Sequence, residues 1–367
     1  MLTARAPLAP AVEASTDVVE GGDEFVEAAE SFASADADAD ADARATRLAE
    51  DDKLLDAART WRDASASATP SDALAKIIAT ARDAERWIAR LKEPATARAG
   101  WLAQRSAAST TMSLMSSISS PSTKGTEKRR RTRIYYKCET AQTLAVRVET
   151  VIDRDLLVPL LSCLNESELY ASWLPKWTTP TRLGVRESVK VDQVGRCSQL
   201  VVITCDCPWP LETRQVVLDA VAFDDIDTSD DIGVLLRTRD CDSDARVPAK
   251  PTNEDVTRID VEGGFLFRSV PLGWANAEDE TPCVVDVDRD ILVSFGFKVD
   301  PKLDYIPTWL LNFIVRTVIG TLWGAFIQVA EDVRDGKRPA HAAAIASKRE
   351  LYDWIEIRAA RMLSRRR

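Results

Sequence analysis

Histidine is almost missing from this 367-residue chain: His341 is its single copy, so a multi-histidine metal site cannot be built and a histidine-based triad is not expected. Cysteine is scarce and irregularly spaced. The seven residues Cys138, Cys163, Cys197, Cys205, Cys207, Cys241 and Cys283 are odd in number and do not form a secreted disulfide framework. Cys205 and Cys207 flank one residue with no second pair, which gives no zinc pattern, and Gly263-Gly264 lacks the further glycines and the Lys-Ser/Thr of a phosphate loop. The opening MLTARAPLAPAVEAS has no continuous apolar core, so a secretory signal is not expected and the thiols are read as reduced, in a cytoplasmic protein. Asp224-Asp225 and Asp230-Asp231 fall at expected turns and read as solvated rather than catalytic. No catalytic residue, metal or cofactor is expected, and nucleic acid is not an expected partner.

The charge that is present is unevenly placed. The formal net charge is −10, with acid crowded into the first fifty residues and basic runs at Lys128–Arg133 and Arg365–Arg367. Residues 1–45, which contain ADADADADA at Ala35–Ala43, have few large apolar side chains and are expected to be a disordered acidic tail. Residues 46–105 read as helical. Leu54, Leu55, Ala58 and Trp61 share one face, and a second helix starts at the Thr69, Pro70, Asp72 signal with a stripe of Leu74, Ile77, Ile78, Ala81, Ile88 and Leu91. This pair is expected to dock on the later domain, although the pattern also fits a separate protein partner. Residues 106–133 form a Ser/Thr-rich and basic linker, whose basic run reads as a membrane contact, a nuclear address or a plain solvated flank.

From residue 134 to 335 the texture is that of one α+β domain. Alternating segments at 135–137, 144–151, 184–191, 198–205, 214–223, 232–239, 256–268 and 284–299 predict strands, and Asp153 caps a predicted helix that runs to Leu164. Pro307 then introduces a long helix, roughly 40 Å at ~1.5 Å per residue. Its predicted stripe is Leu311, Val315, Val318, Leu322, Phe326, Val329 and Val333. The segment is long and apolar enough for a membrane span, but Asn312, Arg316 and Gln328 and the sheet before it favour a covering helix. Residues 336–367 read as a further helix with a basic end.

Three stretches resemble the StAR-related lipid transfer (START) domain family: CPWPLETRQVVLDAV at Cys207–Val221, VEGGFLFRSVP at Val261–Pro271 and VDPKLDYIPTWLLNFI at Val299–Ile314. The resemblance covers about 134–333. It implies a helix-grip fold, in which a curved antiparallel sheet wraps the C-terminal helix around a tunnel for one lipid. By that resemblance Val216, Leu218 and Ala220 on one strand, with Leu311, Val315, Val318, Leu322 and Phe326 on the helix, line the tunnel. Trp209, Trp309, Leu310 and Phe313 lie at its mouth or against a membrane. Relatives that bind sterols or phosphatidylcholine often carry an arginine at the position of Ala220. Its absence speaks against a phosphate clamp there and leaves Arg237, Arg239 and Arg268 as candidates for a headgroup contact.

The function expected is non-enzymatic binding, and transfer between membranes, of a sterol, phospholipid or sphingolipid, with transient contact at a membrane surface. A lipid-sensing scaffold and a cyclase or hydrolase on the same architecture are the alternatives.

Overall fold

The computed structural model describes residues 39–64, 69–104, 132–177, 182–207, 211–239, 245–249, 255–272, 274, 285–286, 289–304 and 307–364. Three helices come first: α1 (residues 39–50), α2 (Leu54–Ala64) and α3 (Asp72–Lys92). Ala41 and Ala45, four apart in the alanine-aspartate repeat, fall on one helical face and are fully buried beside Trp61 and Leu74. Residues 39–45 are thus helical, a correction to the expected tail; residues 1–38 lie outside the described residues. Helix α3 begins two residues later than the Thr69-Pro70 signal. Ser71 is its N-cap and makes no side-chain capping bond, while the Ser71 N–H donates to Asp42 Oδ1 of α1 at 3.3 Å.

The strands are β1 (Leu102–Ala103), β2 (Thr132–Cys138) and β3 (Leu144–Asp153). Helices α4 (Leu157–Asn165) and α5 (Tyr170–Trp173) follow. Next come β4 (Lys176–Trp177), β5 (Leu183–Val194), β6 (Ser198–Asp206), β7 (Thr213–Asp225), β8 (Asp231–Thr238), β9 (Val256–Arg258), β10 (Asp260–Ser269) and β11 (Asp290–Asp300). They form one sheet ordered β1-β2-β3-β11-β10-β8-β7-β6-β5-β4. Short β9 lies beside the start of β7 and runs parallel to it, so the predicted 256–268 strand is split and the sheet is not wholly antiparallel. Thr132 and Arg133, expected in the linker, open β2, while linker residues 106–131, including the basic residues 128–131, lie outside the described residues. Arg133 is buried, with its guanidinium 4.0 Å from the Trp274 ring centroid and a bond to the Trp274 carbonyl at 2.8 Å.

The last helix of the domain, α6, spans 308–334 and is continuous but not uniform. An α segment Thr308–Phe313 passes through a π turn, Ile314–Val318, into a second α segment, Ile319–Arg334. By length and composition alone it could cross a membrane. It lies instead on one face of the sheet, here called the inner face. Strand alternation places Val148, Phe295, Phe265, Val234 and Ala222 in one transverse row of that face, and Ile319, Trp323, Phe326 and Ile327 pack over it. This is a helix-grip arrangement, with the sheet holding the last helix.

The opposite, outer face is covered too. Phe223, Leu235 and Leu266 of the sheet meet Leu55 and Ala58 of α2 and Ala81, Trp87, Ile88 and Leu91 of α3. A Cβ on Gly264 would sit 2.8 Å from Trp87 Nε1, and one on Gly296 2.9 Å from Leu91 Cδ2. The glycine pair that is no phosphate loop thus includes the seat on which α3 lies. The helical pair and the sheet domain share one interface, as the docking expectation required, so the 46–105 and 134–335 segments are not independent bodies.

Charged anchors reinforce it. Arg59 donates two bonds to the buried Asp225 (2.5 and 3.1 Å), and Lys92 Nζ lies 2.5 Å from Asp231. Two C-terminal helices, α7 (Pro339–Ser347) and α8 (Arg349–Ser364), close the other side, where Arg358 holds Asp224 with bonds of 2.9 and 2.5 Å. Of the acidic turn residues expected to be solvated, Asp224, Asp225 and Asp231 therefore tie α2, α3 and α8 to the β7–β8 turn.

The start of α7–α8 packs on a polar cluster after α4. Glu166 is buried and accepts from Lys348 (2.5 Å), Tyr352 (2.6 Å) and Asn165 (3.0 Å). Burial pushes the Glu166 carboxyl up, but the bonds from Lys348 and Tyr352 outweigh it and hold it below the usual range. His341 is 1% exposed, and its Nε2 has no partner among the described residues. Burial, then the neighbouring Arg338, keeps His341 neutral below its ordinary pKa. The unfolded chain therefore binds the proton more readily, and stability contributed by neutral His341 is lost as the pH falls below about 6.5. Urea midpoints should drop between about pH 7 and pH 5.5, and His341→Phe should flatten that part of the profile. An unchanged slope in the variant would assign the pH dependence to other groups.

Candidate ligand-binding interior

The space between the sheet and α6 is the place where a ligand would be held, because it is where two apolar surfaces face each other. Its two ends differ. Toward the C-terminal half of α6 the interior is filled: Ile291, Val293, Phe267 and Ile232 are buried, and Trp323 Nε1 donates to Thr150 Oγ1 at 2.7 Å. Aromatic rings bridge sheet and helix there, with Phe265 and Phe326 centroids 5.5 Å apart and Phe295 stacked on Trp323 at 6.0 Å. Toward the N-terminal half, where Leu310 and Val315 are buried, several apolar side chains are only half-buried: Ile203 on β6, Leu236 on β8, Phe297 and Val299 on β11, and Leu311, Ile314 and Val318 on α6.

Val216, Leu218, Ala220 and Ala222 alternate toward the inner face, since Phe223 and Val217 belong to outer-face clusters. Val216 and Leu218 are buried and Ala220 is half-buried. On α6 the buried stripe is Val315, Ile319, Trp323, Phe326, Ile327, Val329 and Ala330, which includes Val315, Phe326 and Val329 of the predicted stripe. Val318 and Leu322 are half-buried at its flank. The two departures from the predicted stripe fall at and just after the π turn, whose extra residue displaces the apolar face locally; Phe326 and Val329 are buried and Val333 packs on the core.

The three headgroup arginines are a correction. Arg237 and Arg239 alternate with the inner-face Leu236 and so lie on the outer face, as does Arg268 beside Leu266. Arg237 donates to Asp83 (2.9 Å) and Thr80 (3.1 Å) of α3 and to Asp219, and Arg239 donates to Asp219. Burial, more than any other influence, pushes Arg268 below the ordinary arginine range. Of the three, Arg237 ties α3 to the sheet. At the expected mouth, Leu310 is buried and packs rather than facing a membrane, while Phe313 is half-buried. Trp209 lies outside the described residues, as does the side chain of Trp309. Among the described residues no group of histidine, cysteine or acidic side chains is arranged to hold a metal ion, and the five described cysteines are free thiols.

No protein-family model matches the chain, and no curated protein matches it. Solved structures do. Human STARD10 is similar at 13% identity with a TM-score of 0.44, over 74% of this chain and 83% of that one. Human StAR-related lipid transfer protein 5 is similar at 12% identity and 0.44, over 69% and 94%. A STAR-related lipid transfer protein fragment from Xanthomonas axonopodis is similar at 17% and 0.39, over 57% and 97%. The helix-grip description itself rests on the strand order and on the helix held against the inner face.

Proposed function

We propose that this protein is a non-enzymatic carrier that binds one lipid between the inner face of the sheet and the first half of α6. The observation that carries the reading is the gradient within the interior. One end is filled by interlocking aromatics, and the other keeps apolar side chains partly accessible on three strands and the helix. An apolar concavity of that kind gains from an apolar occupant, at about 0.8 kcal/mol for each methylene removed from water. The π turn sits in the helix segment over the accessible end, where a locally different hydrogen-bond pattern suits a segment that moves to admit the ligand.

Native mass spectrometry of the purified full chain, followed by organic extraction, tests the proposal. The expected result is a stoichiometric lipid, or uptake of one from vesicles by the empty protein. A protein that carries nothing and takes up neither sterol, sphingolipid nor phospholipid would sink it, and turnover of a hydrophobic ester would replace it with the hydrolase reading.

A further inference from the structure

Two buried polar atoms on the inner side have no hydrogen-bond partner among the described residues, Ser188 Oγ on β5 and Trp173 Nε1 on α5. Both belong to the same region. Ser188 stands opposite Ile203, which stands opposite Val216, so all three point to the inner face. Lys190, on that face of β5, lies 3.7 Å from Glu168, just before α5, which places α5 across the inner side of the strand. The Trp173 ring also meets Phe326 of α6, with centroids 5.9 Å apart. Buried polar atoms in folded proteins nearly always find a partner, in protein, water or ligand, so an indole N–H and a hydroxyl left over beside the apolar inner face are open to a ligand atom.

We infer that Ser188 and Trp173 receive the polar end of the bound lipid, and that this end is uncharged: a hydroxyl, ester or amide oxygen. The inference rests on the carrier reading above. Trp173 can only donate, so its partner must be an acceptor, and Ser188 can either donate or accept. A phosphate would need a cation, and the inner-face cations of these strands are already engaged. Lys190 donates to Gln193 at 3.2 Å beside Glu168, and Arg214 donates to the carbonyls of Pro301 (3.3 Å) and Glu212 (3.0 Å). An ionised group moved from water into this site would stay uncompensated, whereas a hydroxyl or carbonyl needs only the donors present.

The test presents the full chain with vesicles that each contain one labelled lipid: a sterol, a ceramide, a diacylglycerol, phosphatidylcholine or phosphatidylserine. At least one uncharged lipid is expected to be taken up tenfold or more in preference to both phospholipids. Ser188→Ala and Trp173→Phe, which remove the hydroxyl and the indole N–H, should each weaken that uptake by about three- to tenfold, the first without moving the melting temperature and the second with a modest fall because the smaller ring packs less well against Phe326. A preference for a phospholipid would overturn the inference and leave the carrier reading in place. Uptake of an uncharged lipid that neither substitution alters would remove the two residues from the site. Failure of every lipid in the panel would overturn the carrier reading itself, and this inference with it.

Discussion

Arg147→Met is expected to lower the unfolding free energy by about 3–5 kcal/mol, the range for removing one partner of a buried charge pair. Arg147 lies on the outer face of β3 with its side chain 4% exposed. Its guanidinium donates to the backbone carbonyls of Arg90, Leu91 and Glu93, the last turn and C-cap of α3, and to the buried carboxylate of Glu149. Those carbonyls are the orphan acceptors of a helix C-terminus, where a cation is also favoured by the helix dipole. Glu149 in turn accepts from Trp274 Nε1 at 3.0 Å. Methionine fills most of the space but leaves helix carbonyls and a carboxylate buried with fewer donors. The urea midpoint should fall, and amides of residues 80–92 should lose protection in hydrogen exchange before the rest of the sheet. Adding Glu149→Gln should restore part of the loss by removing the stranded charge. A midpoint equal to that of the parent would show that α3 is not anchored through Arg147.

Val318→Asp is expected to abolish lipid uptake, a loss of at least tenfold, with little change in the folded structure. Val318 is half-buried in the π turn and belongs to none of the fully packed clusters. In the empty protein a carboxylate there can reach water. With a lipid in place it would be held against hydrocarbon, at a cost of several kcal/mol that binding must overcome. The measurement is sterol or ceramide uptake from vesicles beside a thermal melt. If the variant melts like the parent and still carries lipid, the ligand does not lie under this part of α6.

Local pattern was enough for most elements because their information is local. A strand cannot be mistaken where, as at Leu144, Val146 and Val148, every second residue is apolar and the run ends in the Asp153 cap. The long helix was legible for the same reason, and so was its buried stripe at Val315, Phe326 and Val329, but not at Val318 and Leu322. The π turn at Ile314–Val318 leaves no signature in the apolar spacing, and at that point of the helix Ile319 and Trp323, rather than Val318 and Leu322, are buried. The arginines show the other kind of miss. Arg237 and Arg268 alternate correctly within their strands, but alternation says only that neighbours point to opposite faces, not which face is inner. The glycines Gly264 and Gly296 gave no hint of their use until Trp87 and Leu91 were seen lying on them.

The chain by itself determined that there is a sheet, a long covering helix and an N-terminal helical pair with an apolar stripe to bury, since each follows from side-chain period, proline placement and caps within a few residues. With a single histidine it also leaves no multi-histidine site to build. Only the tertiary structure decided that the sheet is covered on both faces, that the acidic β7–β8 turn holds the N-terminal helices and α8, and that Ser188 Oγ and Trp173 Nε1 are buried without a partner among the described residues. These are relations between residues far apart in sequence. They arise when packing chooses one face of each strand for the core, a choice that the period of a strand leaves open.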